Sequence, residues 1–377
     1  MPIYLDNNAT TALDPRVLEA MQPYLIGPYG NPSSVHRYGR AARDAIEAAR
    51  VQVASLAGAQ ASELSWTSGA TESNNFALKG FAAAHKPGRL LYAATEHPAV
   101  MEAAESLRSS GWLVEVIAVC EDGRIDWPRF EAQLASGPVQ LAAVMVANNE
   151  TGVIQDIARV AAGVHAAGGV LLADAVQAAG KLELAPYWTH ADLMSLSAHK
   201  IYGPKGVGAL LVKSHVELAP LLHGGGQERG LRGGTENVAG IVGFGVAAEL
   251  ARAELAQRDT QMRALREQLE AGLRTIEGVR IFGEGAPRLP NTVQFAIPGW
   301  EGEALLMALD RQGIAVSSGS ACASGTGEPS HVLLGMGYSR PIAFGAIRAS
   351  FGRGNSAAEV ERLLGALHGF GAERPAA

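Results

Sequence analysis

Short apolar runs, each closed by glycine, proline or a polar cluster, recur through the first two-thirds of the chain. Residues 90–94, 113–119, 141–147, 170–173, 192–197 and 207–212 have the length and unbroken hydrophobicity of buried strands. The stretch before Ser68 reads as another. Between them the apolar positions shift to helical spacing, over 99–109, 127–135 and 157–167. Ahead of them, Ala42, Ile46, Ala49, Val53 and Leu56 mark one face of an amphipathic helix over 40–56. This alternation predicts an α/β fold, a mainly parallel sheet covered by helices on both faces. Ligands of such sheets sit at the carboxyl ends of the strands.

The pattern changes at both ends of this region. Residues 4–11 read as a short extended arm, Asp14-Pro15 as a helix start, 16–24 as that helix, and 27–34 as a loop. After the segment 66–75, helix-compatible residues run on to Ala84. After Leu222 the chain is glycine-rich to Thr235, and one long helix is expected over 238–276. Short strands over 279–282, 292–296 and 315–317 then mix with helices over 303–312 and 357–370. This part reads as a second, α+β domain with the long helix at the boundary, and residues 372–377 are expected to fray.

Composition narrows the class. A chain of 377 residues, 47% hydrophobic, has material for two domains with sizeable cores. The net charge of −6 argues against a nucleic-acid partner. Two cysteines, Cys120 and Cys322, do not make a disulfide framework. With no secretory signal and no run of membrane-spanning length, the expectation is a cytoplasmic protein with no direct nucleic-acid or membrane partner.

Lys200 stands in Ser197-Ala198-His199-Lys200-Ile201-Tyr202-Gly203-Pro204-Lys205-Gly206, at or just past a strand end. Alone, it is equally a solvated loop lysine or a desolvated amine able to attack a carbonyl. Ser68-Gly69-Ala70-Thr71-Glu72 lies between a strand and a helix. Small residues there turn backbone N–H groups outward, and a helix start favours phosphate, although Glu72 by itself also suits the helix dipole. Asp174 ends an apolar run, with Gln177 three positions on; alone, the aspartate is an ordinary cap. Together these residues change the reading. Pyridoxal phosphate needs an amine, an acid for its pyridine nitrogen, a donor near its phenolic oxygen and an anion cradle. Lys200, Asp174, Gln177 and residues 69–71 supply one each, on successive strand ends. His97, after the 90–94 strand, is placed to stack on the ring. Cys322 lies in a small-residue loop over 317–330, as a nucleophile or an inert surface thiol. Cys120, closing an apolar run, reads as buried and structural. Arg348 interrupts an apolar stretch and needs a carboxylate, either a substrate's or an internal one.

With these motifs in order, the chain resembles the cysteine desulfurases of the NifS/IscS type, among the class V, fold-type I pyridoxal-phosphate enzymes. The motifs are residues 4–11, 30–34, 68–75, 95–97, 148–152, 174–177, 197–206, 229–237 and 317–322, so the resemblance runs nearly end to end. It implies a large cofactor-binding domain over 15–245 with a mainly parallel seven-stranded sheet flanked by helices. A smaller α+β domain from 1–14 and 246–377 would carry the Cys322 loop.

The resemblance also implies roles. Lys200 is then the Schiff-base lysine and the base for the α-proton of L-cysteine. Asp174 pairs with the pyridinium, Gln177 donates to the phenolic oxygen, and His97 stacks on the ring and relays protons. Ala70, Thr71, Ser197 and His199 hold the phosphate, and Thr235 reaches the cofactor of the partner subunit in a homodimer. Asn149 contacts cofactor and substrate, Arg348 holds the substrate, and Asn31 assists. Cys322 takes the sulfur as a persulfide, L-alanine leaves, and a protein acceptor receives the sulfur. That acceptor is an iron–sulfur scaffold, a tRNA-thiolation protein or a DNA-modification system. The stretch 322–329 resembles the family's long-loop subgroup, which implies delivery to a scaffold rather than selenocysteine selectivity. The C-terminal segment after 357–370 is shorter than in scaffold-docking members, which weakens the expectation of that partner. Competing readings are a selenocysteine lyase or another class V enzyme such as an aminotransferase, and a non-catalytic scaffold that kept only the fold.

Overall fold

The computed structural model describes residues 2–27, 29–318 and 328–372. Among these residues the chain forms twelve strands in three sheets. β1 (Ile3–Tyr4) comes first. β2 (Leu64–Thr67), β3 (Arg89–Ala93), β4 (Leu113–Ile117), β5 (Leu141–Ala143), β6 (Val170–Asp174), β7 (Leu193–Ser197) and β8 (Gly208–Val212) form the large sheet. Its spatial order is β2-β8-β7-β6-β5-β3-β4. β8 alone among these seven runs antiparallel to its neighbours, β7 and β2. β9 (Arg280–Ile281), β10 (Thr292–Ala296) and β12 (Ala346–Ser350) make an antiparallel sheet, while β11 (Ile314–Ala315) pairs in parallel with β1.

Apart from the edge strand β4, the large sheet is buried on both faces, which is why its strands read as continuous apolar runs. Side chains alternate between the faces. Leu171 and Ala173 join one core with the helices Arg37–Ala57 and Val238–Ala253, while Leu172 joins the other with Pro98–Ser106. Short βα connections then bring β3, β6 and β7 to end on the same edge. A third core gathers β10, β12, the helices Leu255–Leu273 and Ala357–Ala372, and the arm residues Ile3 and Leu5.

Several expectations need correction. The helix expected over 238–276 is two helices, Val238–Ala253 and Leu255–Leu273, separated at Glu254. The reason lies in the cores: Ala247 and Ala251 face the large sheet, whereas Met262, Leu265 and Leu269 face the small one. The Glu254 carboxylate fixes the break with ion pairs to Arg16 (2.7 Å) and Arg258 (2.8 Å). Residues 144–147 leave the β3 side of the sheet yet keep backbone bonds from Val144 and Val146 to β6. The apolar stretch around Arg348 is strand β12. Cys120 is exposed rather than buried, because its strand stops at Ile117 and the cysteine begins a turn closed by Gly123 N–H on its carbonyl (2.9 Å). Among the described residues no helix is long and apolar enough to cross a membrane.

Candidate active site

The ends of β3, β6 and β7 and the turn after β2 open onto one cavity of about 870 Å³. Lys200, Asp174, Gln177, His97, Asn149, Ser197, His199, Ala70, Thr71 and Arg348 all line it. Ten residues spread over nearly 280 positions of sequence are thereby brought to one surface.

Lys200 closes a 3₁₀ turn, Ala198–Lys200, that follows directly from β7. Its Nζ donates to the backbone oxygens of Asn8 (2.5 Å) and Ala9 (2.7 Å), so the N-terminal arm lies across the lysine. Tyr202, two residues on, sits at φ 69, a left-handed conformation that non-glycine residues seldom adopt. It is held there by its backbone N–H on Thr11 Oγ1 (2.8 Å) and by its hydroxyl, which accepts from Arg353 N–H (2.8 Å).

Asp174 is buried at the end of β6. Its carboxylate accepts from the Asn74 amide (2.7 Å) and the Val176 backbone N–H (3.0 Å), both neutral donors. His97 caps the helix Pro98–Ser106, its Nδ1 accepting from Ala99 N–H (3.0 Å). Burial lowers the affinity of this ring for a second proton, Asp174 opposes that, and Lys200 and His331 add to it. Burial, with Lys200 and Lys205 nearby, brings His199 down to about 4, so its ring is neutral at physiological pH. Its Nδ1 lies 3.1 Å from Thr10 Oγ1.

The helix start at Ala70 follows Gly69, where an added Cβ would meet open space. β8 passes close beneath it: a Cβ on Gly208 would come within 2.7 Å of Gly69 Cα and carbonyl carbon. Glu72 accepts from Ser68 N–H (2.8 Å) and pairs with Arg232 (2.9 Å), tying this turn to the glycine-rich segment.

Arg348 has the internal carboxylate that one of its sequence readings called for. On β12, and 1% exposed, it pairs with Asp6 (2.6 Å) and donates to Asn149 O (2.9 Å), yet it also lines the cavity. Its Nε is buried and has no hydrogen-bond partner.

The Aminotransferase class-V family model matches residues 3–363. The chain belongs to the class-V aminotransferase family. It is 47% identical over 370 residues to the cysteine desulfurase IscS of Anaeromyxobacter sp. (strain Fw109-5), covering 97% of this chain and 91% of that one. Among solved structures, a NifS-like protein superposes with a TM-score of 0.90 at 38% identity, covering 98% of this chain and 99% of the other. SspA in complex with cysteine gives a TM-score of 0.81 at 33% identity, over 93% and 99%. Class-V enzymes of this kind depend on pyridoxal phosphate, and so does this chain. The residues present fit that group. A buried carboxylate held only by neutral donors, as at Asp174, suits a protonated pyridine nitrogen. The small-residue turn at 68–70, with Lys205 and the neutral His199 beside it, suits a phosphate.

Not every expected residue meets there. Asn31 is exposed, with Oδ1 capping Ser33 N–H (2.8 Å), and does not line the cavity. Thr235 is exposed in an adjoining cleft that shares Ser68 and Gly206 with the main cavity. Cys322 lies outside the described residues. Other participants escaped the sequence reading. Asp6, Asn8 and Asn74 fell inside noted motifs but show their use only through Arg348, Lys200 and Asp174. Glu96 and Glu150 are buried acids at the cavity's edge, both raised above the usual carboxylate range chiefly by burial. Glu150 Oε2 accepts from Ser330 (2.5 Å) and Gln294 (3.0 Å).

Proposed function

We propose that the chain is a cysteine desulfurase that converts L-cysteine to L-alanine and moves the sulfur to Cys322 as a persulfide. The observation that carries this reading is one cavity lined by the Lys200 amine, the Asp174 carboxylate and the Arg348 guanidinium, in a chain whose relative is named cysteine desulfurase IscS. Bound pyridoxal phosphate supplies a carbonyl for the substrate amine and a sink for the electrons of its α-carbon.

The chain's own residues do the rest. Asp174 would hold the proton on the pyridine nitrogen, Gln177 would donate to the phenolic oxygen, and His97 would cover the ring. Ala70, Thr71, Ser197 and His199 would hold the phosphate, with Thr235 reaching across from the second subunit of a homodimer. Arg348 and Asn149 would orient the substrate, the arginine through its carboxylate, and Asn31 would assist. Lys200, within reach of the backbone oxygens of Asn8 and Ala9, is the base that takes the α-proton and returns a proton to the product. The Cys322 thiolate then attacks the substrate sulfur. The C–S bond breaks, an S–S bond forms on Cys322, and the carbon skeleton leaves as alanine. The persulfide passes to a protein acceptor, an iron–sulfur scaffold or a thiolation protein, for iron–sulfur cluster assembly or thio-modification. Such a thiol relay belongs in a reducing cytoplasmic compartment. The same reading divides the chain into a cofactor domain over 15–245 and a small domain from 1–14 and 246–377.

The test is release of alanine and sulfide from L-cysteine with a thiol reductant, for the native chain and for Cys322→Ala. Equal amounts of both products from the native chain, and neither above background from the variant, is the expected result. If the native chain takes up the cofactor but releases neither product, cysteine is the wrong substrate, and selenocysteine is tried next.

A further inference from the structure

Lys181 is buried, only 6% exposed, four residues beyond Gln177 in the turn segment after β6. Its Nζ donates to the Gln177 backbone oxygen (3.0 Å) and to Gln177 Oε1 (3.1 Å), and neither partner is a carboxylate. Burying an amine this way is costly, and an apolar side chain of the same length would fill the space without that cost. The cations of Lys200 and Arg348 lie close enough to add to the effect of burial, which together bring Lys181 down to about 7. The residue therefore needs a reason.

The other end of Gln177 supplies one. Its Nε2 donates to Asn8 O (3.0 Å), the same oxygen that accepts from Lys200 (2.5 Å). A carboxamide held between an amine donor and a carbonyl acceptor satisfies both in only one of its two flipped orientations. Oxygen must face Lys181, and nitrogen must face Asn8 and the cavity. With that flip excluded, one amide hydrogen goes to Asn8, and the second is left for an acceptor in the cavity that Gln177 lines.

We infer that Lys181 is a positioning residue, whose amine locks the Gln177 carboxamide with its nitrogen toward the cofactor. This rests on the role proposed for Gln177.

The experiment compares native chain, Lys181→Met, Gln177→Leu and the double variant, each titrated with pyridoxal phosphate. Two quantities are read: the cofactor dissociation constant, and the ratio of the absorption bands of its ionised and neutral phenolic oxygen. Lys181→Met is expected to weaken cofactor binding about tenfold and to shift the ratio toward the neutral form. In the Gln177→Leu background the same substitution is expected to change neither quantity, because the group it acts through is gone. Melting of the cofactor-free chains, followed by circular dichroism, separates this from a structural role. Lys181→Met should melt no lower than native, since it removes a buried amine. Native affinity and band ratio in Lys181→Met, or effects that add in the double variant, would overturn the inference. If the methionine variant does not fold, Lys181→Gln, which keeps one donor, is read by the same criteria and should fall between native and Gln177→Leu. Failure of the native chain to release alanine and sulfide would sink the desulfurase reading while leaving this comparison of bands intact.

Discussion

Arg348 donates from one terminal nitrogen to Asp6 and from the other to Asn149, and both contacts come from segments far from β12 in sequence. A lysine there has one compact ammonium and cannot hold Asp6 while also facing a substrate carboxylate. Arg348→Lys is therefore expected to raise KM for L-cysteine about 30-fold while leaving the cofactor's absorption spectrum unchanged; steady-state kinetics and a spectrum check both halves. Residues of this kind divide by what the sequence can reveal. Lys200, Asp174 and Gln177 were legible only as a set, because an amine, an acid and a carboxamide on successive strand ends suggest a task that none of them suggests alone. Asp6, Asn8 and Lys181 were not, because each matters only through the group it meets.

At the scale of elements, the helix start at Ala70 depends on a neighbour that is itself a strand. β8 passes within contact distance of Gly69 only because residue 208 has no side chain. Gly208→Ala would set a Cβ against backbone on both sides, at 2.7 Å from Gly69 and 2.8 Å from Leu196 O. Overpacking of this sort costs about 1–3 kcal/mol, so the melting temperature should fall by several degrees by calorimetry, and affinity for pyridoxal phosphate should fall with it. The glycine-rich segment is anchored as firmly. Glu228, at φ 47, and Arg229, at φ 58, both adopt left-handed backbone, and the Glu228 carboxylate meets Arg50 (2.7 Å) and Trp66 N–H (2.9 Å) out of solvent. That bond network anchors the turn alongside its glycines, of which Gly230 (φ 81) and Gly234 (φ 107) also take positive φ. Apolar runs announced the large sheet because both its faces are covered. They could not announce β1 or β12, which are short or interrupted by arginine, nor the break at Glu254, which is decided by two cores facing different ways; β11, expected over 315–317, lies at Ile314–Ala315.

For the whole molecule, groups whose proton affinity falls on folding make stability depend on pH. His199 is held near 4 in the folded chain and titrates at its ordinary value, about 6.5, when unfolded. Below about 6.5 the unfolded state binds a proton that the folded state refuses, so stability falls with pH until about 4. Lys181, held near 7, acts in the same direction between the ordinary lysine range and 7. Glu96 and Glu150 are raised and act oppositely, losing stability as pH rises from the ordinary carboxylate range through their folded values. His199→Asn isolates one of these. Between pH 6.5 and 4 the variant should lose less melting temperature than the native chain; equal losses would mean that His199 is protonated in the folded state.

The arm that crosses Lys200 is fastened from far away. Asn7 and Asn8 bond to Ser350, and β1 pairs with β11, so the arm finds these partners more than 300 positions further along the chain. On the ribosome, the lysine and the strands around it emerge well before the residues that hold the arm over them. A chain stalled before β11 would lack both the strand pairing of β1 and the Ser350 contacts, leaving the arm its bonds to Asn149, Gln177, His199 and Tyr202. Synthesis of β11 and β12 is thus the step that fastens the arm across the lysine.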